Sequence, residues 1–448
     1  MKKNRIILLI LVMGITVSTT IFAKSKYDKV QATSEDIKVL DYKESSAENE
    51  SGFQIDKYEK VQSKAWINDN EVLTLSKKGE IKNPDYIISK NIEYCSIYNL
   101  NTNQTKDFKD ANIYEFFGVS SDKQYVLYSE PRDIPKVESA EWIQAEKSGE
   151  LYHRSVKILN LSTGEITDLA TENNNKDAEF TWIDGNKILV NYYDKWAIID
   201  ITGRVIDQAS YADNSNSTSN ILGADDIKCL DNGLEGKIYY SQHEHGNLGS
   251  KLLSMDVKTK EINNIFSGNN ISNAYKKGST IVVDYYKDNG EQNSQGLYEN
   301  RIFGMSVLDA SGNMLRNIEL PKGISASSYT LSTDGTKVAY IEEPIVDADT
   351  INTGTNKSNQ VLKVLDIKTG SIKEIVNGDE LEDKNVQNDY ITRQIVDQNG
   401  NTKEKKSFCK HSISNICWDS SGTSLIFTYN TSVVDNKYDA YIVSFDCY

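Results

Sequence analysis

The stretch VLKVLDIKTGSIKEIV, Val361 to Val376, reads as two strands joined by a tight polar turn. Apolar residues alternate along both halves, an Asp closes the first half, and Thr-Gly supplies the turn. Nearly the same text recurs as SVKILNLSTGEITDL, Ser155 to Leu169, and as LLSMDVKTKEINNI, Leu252 to Ile265. Aligned on the Asp or Asn near the strand end, the hairpin recurs at Asn99, Asn160, Asp200, Asp256, Asp309 and Asp366, and its first strand returns once more at Asp446. Seven occurrences make an architecture; one would have been an accident.

Upstream of these hairpins stands another, in which a strand often carrying an aromatic is followed by a short polar turn and a β-branched strand. Examples are AWINDNEVLTLS from Ala65, TWIDGNKILVNYY from Thr181, TLSTDGTKVAYIEE from Thr330 and CWDSSGTSLIFTYN from Cys417. Each unit therefore holds four strands. A chain of 448 residues exceeds the usual size of one compact core, and four-stranded units repeated about forty or more residues apart are the signature of radial stacking. The expectation is an all-β fold, a seven-bladed β-propeller of four-stranded antiparallel blades. The seventh unit reaches only its third strand, DAYIVSFDCY, while an orphan strand pattern, GFQIDKYEKV from Gly52 to Val61, precedes the first unit. That segment is expected to pair with Ala440 to Phe445, complete the last blade and close the ring, leaving no bare edge.

The turns resemble the TolB-like (WD40-like, PD40) propeller repeat, in which a W-S-P-D-G-K-x-I-A-F hairpin precedes an I-Y-x-M-D-x-x-T-G strand and turn. The resemblance is carried by STDGTKVAY, WDSSGTSLIF, WIDGNKILV and the LDIKTG type of strand, and covers nearly all of the chain after the leader. The Pro of the repeat is missing from all of these turns, and several units lack its Trp. What the resemblance implies is a fold and a habit of extracytoplasmic binding in bacteria; it implies no reaction.

Residues 1–23 follow the pattern of a signal peptide or signal anchor: Lys2, Lys3 and Arg5, an apolar run from Ile6 to Val17, then IFA before Lys24. Cleavage after Ala23 gives a secreted protein, and retention of the apolar run gives a membrane-anchored one. Either way the propeller, residues 52–448, stands outside the cytoplasmic membrane after a polar linker at 24–51. A net charge of −15 argues against nucleic-acid and anionic-membrane partners, which need a basic face. The five cysteines are too scattered for a disulfide framework, and Cys95, Cys417 and Cys447 lie in apolar strand patterns as small core residues.

The insertions fall on one side. In a four-stranded blade the first-to-second and third-to-fourth turns share one face of the disc, and there every turn is minimal: NDNE, SSDK, IDGN, STDG, DSSG, STG, KTK and KTG. The excursions, Gly79 to Lys90, Pro131 to Glu150, Asp207 to Ala224, Asp288 to Asn300, Glu343 to Gln360 and Gly378 to Lys410, belong to the other face. One contains VESAEWIQAEK, Val137 to Lys147, read as a short helix, and another contains DYITRQIVDQNGNTKEKKSF, Asp389 to Phe408, read as a protruding hairpin turning at Asn399-Gly400. Trp142, Tyr152, Tyr390 and Arg393 are the partner-binding candidates, because desolvated aromatic and Arg side chains concentrate binding energy.

Chemistry is sparse by comparison. His243 and His245 are the weak candidates for a metal, but two histidines are short of a site, and no metal or other cofactor is expected. There is no Gly-x-Ser-x-Gly elbow and no phosphate loop. The first functional reading is a non-enzymatic propeller binding a protein, peptide or cell-envelope glycan partner through its long-loop face. The alternative is an envelope-glycan hydrolase or lyase using carboxylates in the channel, and a third is a structural spacer.

Overall fold

The computed structural model describes residues 39–40, 53–81, 90–130, 155–169, 178–184, 187–192, 195–210, 236–243, 250–267, 270–288, 301–345, 358–381, 390–396, 402–408, 411–432 and 437–445. Among them, regular structure is strand apart from one 3-10 turn at Gly378–Glu380. The strands form seven antiparallel blades, the first six running outward in chain order. Blade 1 holds Ser63–Asn68, Glu71–Ile81, Lys90–Asn99 and Gln104–Ile113; blade 2 holds Glu115–Val119, Tyr125–Glu130, Ser155–Asn160 and Ile166–Asp168. Blade 3 is Glu179–Asp184, Lys187–Asn191, Lys195–Asp200 and Val205–Ser210, and blade 4 shows three strands among the described residues, Lys237–His243, Ser250–Asp256 and Ile262–Ser267. Blade 5 comprises Asn270–Lys277, Thr280–Asp288, Arg301–Asp309 and Met314–Glu319; blade 6 comprises Ile324–Leu331, Lys337–Pro344, Val361–Asp366 and Ile372–Asn377. Blade 7 takes Ser412–Trp418, Ser424–Ser432 and Lys437–Phe445, with Phe53–Glu59 paired on the outside from Phe53 opposite Phe445 to Glu59 opposite Asp439.

The stacking follows from period-two alternation in strands that are buried on both faces. In blade 3, Ile188, Val190, Ala197 and Ile199 pack toward blade 2, while Leu189, Trp196 and Ile198 pack toward blade 4. In blade 7, Leu425, Phe427, Tyr429, Tyr441 and Val443 face blade 6, and Ile426, Ala440 and Ile442 face Val61, Trp66 and Val72 of blade 1. An apolar cluster of this kind fills each of the seven blade junctions. Burying one Leu, Ile or Val side chain stabilises by about 1.5–3 kcal/mol, so the second and third strands of each blade dominate the fold. Outermost strands contribute less; Val205–Ser210 alternates between exposed and half-buried positions.

The Asp or Asn used to align the repeats has a physical task. At Asn99, Asn160, Asp200, Asp256, Asp309 and Asp366 the side-chain oxygen accepts backbone N–H groups of the following turn, for example Ser162 and Thr163 on Asn160 and Lys258 and Thr259 on Asp256. The first-to-second turns are tied in the same way. Ser332 Oγ donates to Asp334 and accepts from the Lys337 N–H, and Asp419 Oδ1 accepts from the N–H groups of Thr423 and Ser424. Gly335 closes the STDG turn at φ +68, where a Cβ would come within 2.9 Å of Thr280 Oγ1 on blade 5.

These turns make a pH prediction. The Thr202 hydroxyl and turn N–H groups hold the Asp200 carboxyl below its ordinary value. A carboxyl depressed in the folded state contributes stability above its unfolded pKa, about 3.9, and loses it as pH falls through the folded value. Asp200→Asn is therefore expected to melt almost like the parent at neutral pH, since Asn99 and Asn160 do the same work uncharged, and to show a flatter decline of Tm below about pH 4. Melting scans across pH 2 to 7 read the difference; parallel curves would contradict the assignment.

Three boundaries differ from the sequence reading. Gly79–Ile81 and Asp207–Ser210 continue strands because they still have partners, Gly79 opposite Ile92 and Asp207 opposite Ile198. Glu343 and Pro344 likewise end a strand, with Pro344 the last paired residue, opposite Ile324. Within the segment read as a polar linker, Val39–Leu40 pairs in parallel with Asn317–Ile318 on the outer edge of blade 5. The leader, the Val137–Lys147 helix and Cys447 lie outside the described residues, within which no helix is long and apolar enough to cross a membrane.

Candidate functional site

The innermost strands surround a central channel, and each of those described carries a break in pairing register near its middle or end. Three of the five tryptophans sit on these strands and bridge to the preceding blade. Trp66 Nε1 donates to the Cys417 carbonyl at 3.1 Å, Trp182 Nε1 to the Gly118 carbonyl at 3.3 Å, and Trp418 Nε1 to the Thr330 carbonyl at 3.3 Å. The Trp of the repeat is thus a clasp between neighbouring inner strands. In blade 6 Leu331 holds the corresponding position, immediately before the STDG turn, and packs in the cluster between blades 5 and 6.

A cavity of about 890 Å³ opens inside this ring. Its lining comes from the ends of the inner strands nearest the first-to-second turns: Trp66 to Asn68, Phe117 to Val119, Tyr275 to Lys277, and Cys417 to Ser420. The cavity therefore lies toward the short-turn face. Cys417 lines it, half-buried, and is not simply the small core residue that its strand pattern suggested. Burial pushes its thiol up, the Trp66 contact and the Lys123 and Lys277 ammonium groups pull it down, and Asp419 pushes it up again. Cys95 is buried between blades 1 and 2 as expected, with its thiol pushed up to about 12 by burial.

Carboxylates on the cavity wall are Glu179 and Asp419 among the described residues. Asp419 is committed to its turn, where Oδ2 also accepts from the Ser421 hydroxyl at 2.6 Å. Nearer the opposite end of the inner strand of blade 1, Lys64 donates to Asn415 Oδ1 at 3.3 Å. Burial lowers the Lys64 amine and raises the Glu93 carboxyl, and the attraction between the two opposes both shifts. Glu93 faces a cation there, not a second carboxylate. No group of three or more His, Cys, Asp or Glu side chains is gathered for a metal among the described residues.

The residues singled out from the sequence fall mostly elsewhere. Trp142 and Tyr152 lie outside the described residues. Tyr390 and Arg393 sit on Tyr390–Val396, which pairs with Thr402–Phe408 in a hairpin separate from every blade, Tyr390 opposite Phe408 and Arg393 opposite Lys405. His243 ends a blade 4 strand opposite Ser250, and His245 lies outside the described residues. Lys123 and Lys277 were not picked out in the sequence, where SSDK and AYKKG read as turns and strand ends only.

No family model matches the chain, and no curated protein matches it by sequence. Among solved structures it is similar to the β-propeller domain of the Trilobed protease from Pyrococcus furiosus, at 11% identity and a TM-score of 0.48, covering 85% of this chain and 94% of that one. It is also similar to oligogalacturonate lyase from Vibrio parahaemolyticus, at 13% identity and a TM-score of 0.46 over 87% and 91% of the two chains. An acylaminoacyl peptidase aligns at 12% identity and a TM-score of 0.46, over 83% of this chain and 49% of that one. These likenesses assign no activity; the seven-bladed propeller follows from the strand pairings themselves.

Proposed function

We propose that this chain is a non-enzymatic, extracytoplasmic β-propeller of the TolB-like kind that binds a protein, peptide or envelope-glycan partner through its long-loop face. One observation carries the reading. The connections after Glu130, Ser210, Asp288, Pro344 and Asn377 all leave from the same face, whereas the turns of the opposite face are short and tied by Asp, Asn, Ser and Thr side chains. Loops lengthen on a rigid scaffold where binding uses them, and unconstrained drift would lengthen both faces. The export-type leader supports the location. The alternative, a glycan hydrolase or lyase, needs two carboxylates poised across the channel; of Glu179 and Asp419, the carboxylates on the described wall, Asp419 is committed to its turn, which favours binding over turnover.

The test replaces 131–150 and 378–410 by short Gly-containing turns, which cost little in closure entropy, and compares capture of a partner from culture extract. Capture is expected to vanish with the loops and to survive Thr369→Ser on the opposite face, with the melting curve unchanged throughout. Retained capture after both replacements overturns the reading. Release of products from cell-wall fragments by the purified protein would favour the enzyme instead.

A further inference from the structure

We propose that the groove where the closing strand Phe53–Glu59 meets blade 1 binds a neutral mono- or disaccharide. The groove lies beside the third-to-fourth turn of blade 1, on the short-turn side of the disc. It therefore concerns a second ligand and does not depend on the partner proposed above.

The groove has a volume of about 490 Å³, within the range of small-ligand sites. Its walls come from two blades. Asp56 and Tyr58 stand opposite Ile442 and Ala440, and so share the face of blade 7 that packs on blade 1. Tyr98, Leu100 and Asn103 belong to the third strand of blade 1 and the turn that follows it. The half-buried rings of Tyr58 and Tyr98 meet edge to face, with centroids 6.3 Å apart. A sugar offers an apolar C–H face that packs on such rings, and hydroxyls that each need a donor or an acceptor.

The polar groups beside the rings are oriented by neighbours on their own blade. Gln54 Nε2 donates to Asp56 Oδ1 at 2.9 Å, which leaves Oδ2 as an acceptor for a hydroxyl. The Tyr98 hydroxyl donates to Asn103 Oδ1 at 2.7 Å, which leaves the Asn103 amide N–H groups as donors. The Tyr58 hydroxyl has no hydrogen-bond partner among the described residues. Burial pushes it up, and Asp56 and Tyr98 add to the rise, so at neutral pH it is protonated and both donates and accepts. Asn103 stands at φ +56, in the turn position that Gly164 and Gly370 hold in blades 2 and 6. Glycine satisfies the backbone there, so the turn itself does not call for the amide. The remaining charges of the groove are spoken for: Lys57 and Glu59 sit on the other face of the strand, opposite Tyr441 and Asp439, with Lys57 Nζ 3.0 Å from Asp439 and 3.7 Å from Glu59. On the blade 1 side the lining thus holds one carboxylate and no cation, which suits an uncharged polyol and not an anion. The two walls meet only when the ring is closed, so a bound sugar also stabilises closure.

The full chain is titrated with maltose, cellobiose and N,N′-diacetylchitobiose, followed by saturation-transfer NMR on the sugar and by the melting temperature. At least one of them is expected to bind with a Kd on the order of 1 mM and to raise Tm. Asn103→Gly and Asp56→Asn should each weaken binding about tenfold. Tyr98→Phe, which keeps the ring but releases the amide, should weaken it less. Glu374→Gln, at an exposed position on the outermost strand of blade 6, should leave it unchanged. Melting curves without sugar check that the variants fold, and Asn103→Gly, which suits the left-handed turn, decides the matter if Asp56→Asn does not fold. Absence of binding to all three sugars, parent-like affinity in the folded Asn103→Gly protein, or equal weakening by Glu374→Gln overturns the proposal. Binding of tetramethylammonium in place of the sugars overturns it too, since the groove would then be a cation site.

Discussion

A chain lacking Phe53–Glu59 is expected to lose its cooperative melting transition and to elute as aggregates in size-exclusion chromatography. The strand pairs along its whole length with Lys437–Phe445, and its removal bares the N–H and C=O groups of that strand as a template for other chains. Side chains bind it further. Lys57 Nζ lies 3.0 Å from Asp439 Oδ2, and the Lys60 N–H donates to Asp439 Oδ1 at 2.9 Å, so one largely buried carboxylate holds the strand twice. The Lys57 amine is raised by its hydrogen bond to Asp439. At the other end Phe53 packs against Phe445, with ring centroids 6.1 Å apart, and Phe445 against Trp418 at 5.4 Å. Deleting residues 24–38 instead, which stops short of the pair Val39–Leu40, should leave the melting curve nearly unchanged. Equal curves for the two truncations would show that the ring does not need this strand. Asp439→Asn, keeping the strand but weakening its anchor, should fall between them.

Trp418→Ala is expected to cost about 3–5 kcal/mol, the range for removing a large buried aromatic. Trp418 is 5% exposed, joins the cluster between blades 6 and 7, and donates across that junction to the Thr330 carbonyl. The truncation opens a cavity and removes the donor from a carbonyl at the channel wall. Trp418→Phe keeps most of the packing, and should cost roughly 1 kcal/mol for the missing hydrogen bond plus a smaller packing loss. Urea unfolding monitored by far-UV circular dichroism reads both, with the midpoint dropping while the slope is kept. If Trp418→Ala unfolds at the parent midpoint, the indole is not a clasp. A steep drop for Trp66→Ala would extend the argument to the junction of blades 7 and 1, where that side chain meets Ile426, Ala440 and Ile442.

Much of the fold was legible because its determinants are local. The hairpin at Val361 to Val376 shows alternation, an Asp and a Thr-Gly turn within sixteen positions, and the structure uses them as written: Val361–Asp366 pairs with Ile372–Asn377, and Asp366 accepts the Thr369 N–H. The side of each insertion was legible for the same reason, since it depends only on which strand a loop follows. Boundaries were less so. Gly79 and Pro344 look like chain breakers, yet a partner strand is present opposite each, and pairing outweighs the local preference. The channel lysines escaped notice because SSDK is as good a surface turn as any other until the ring places its Lys on the wall of a cavity shared with other blades.

By itself the sequence determined the strands, their grouping in fours, the number of repeats and the face on which the chain spends its long connections. Each of these rests on spacing along one chain and on turns whose side chains bond to their own backbone. Only the tertiary structure decided which side chains meet across blades. Trp66 reaches the Cys417 carbonyl, and Ser63 Oγ lies 2.9 Å from Thr428 Oγ1, between residues hundreds of positions apart. Within blade 6, Lys363 and Glu342 form an ion pair at 2.9 Å with both side chains almost wholly buried, although as text they are two charges in two ordinary strands. The reason is geometric: a repeat specifies its own sheet, but the angle between sheets, the register of one inner edge against the next and the width of the channel arise only when the blades pack on one another and the ring closes.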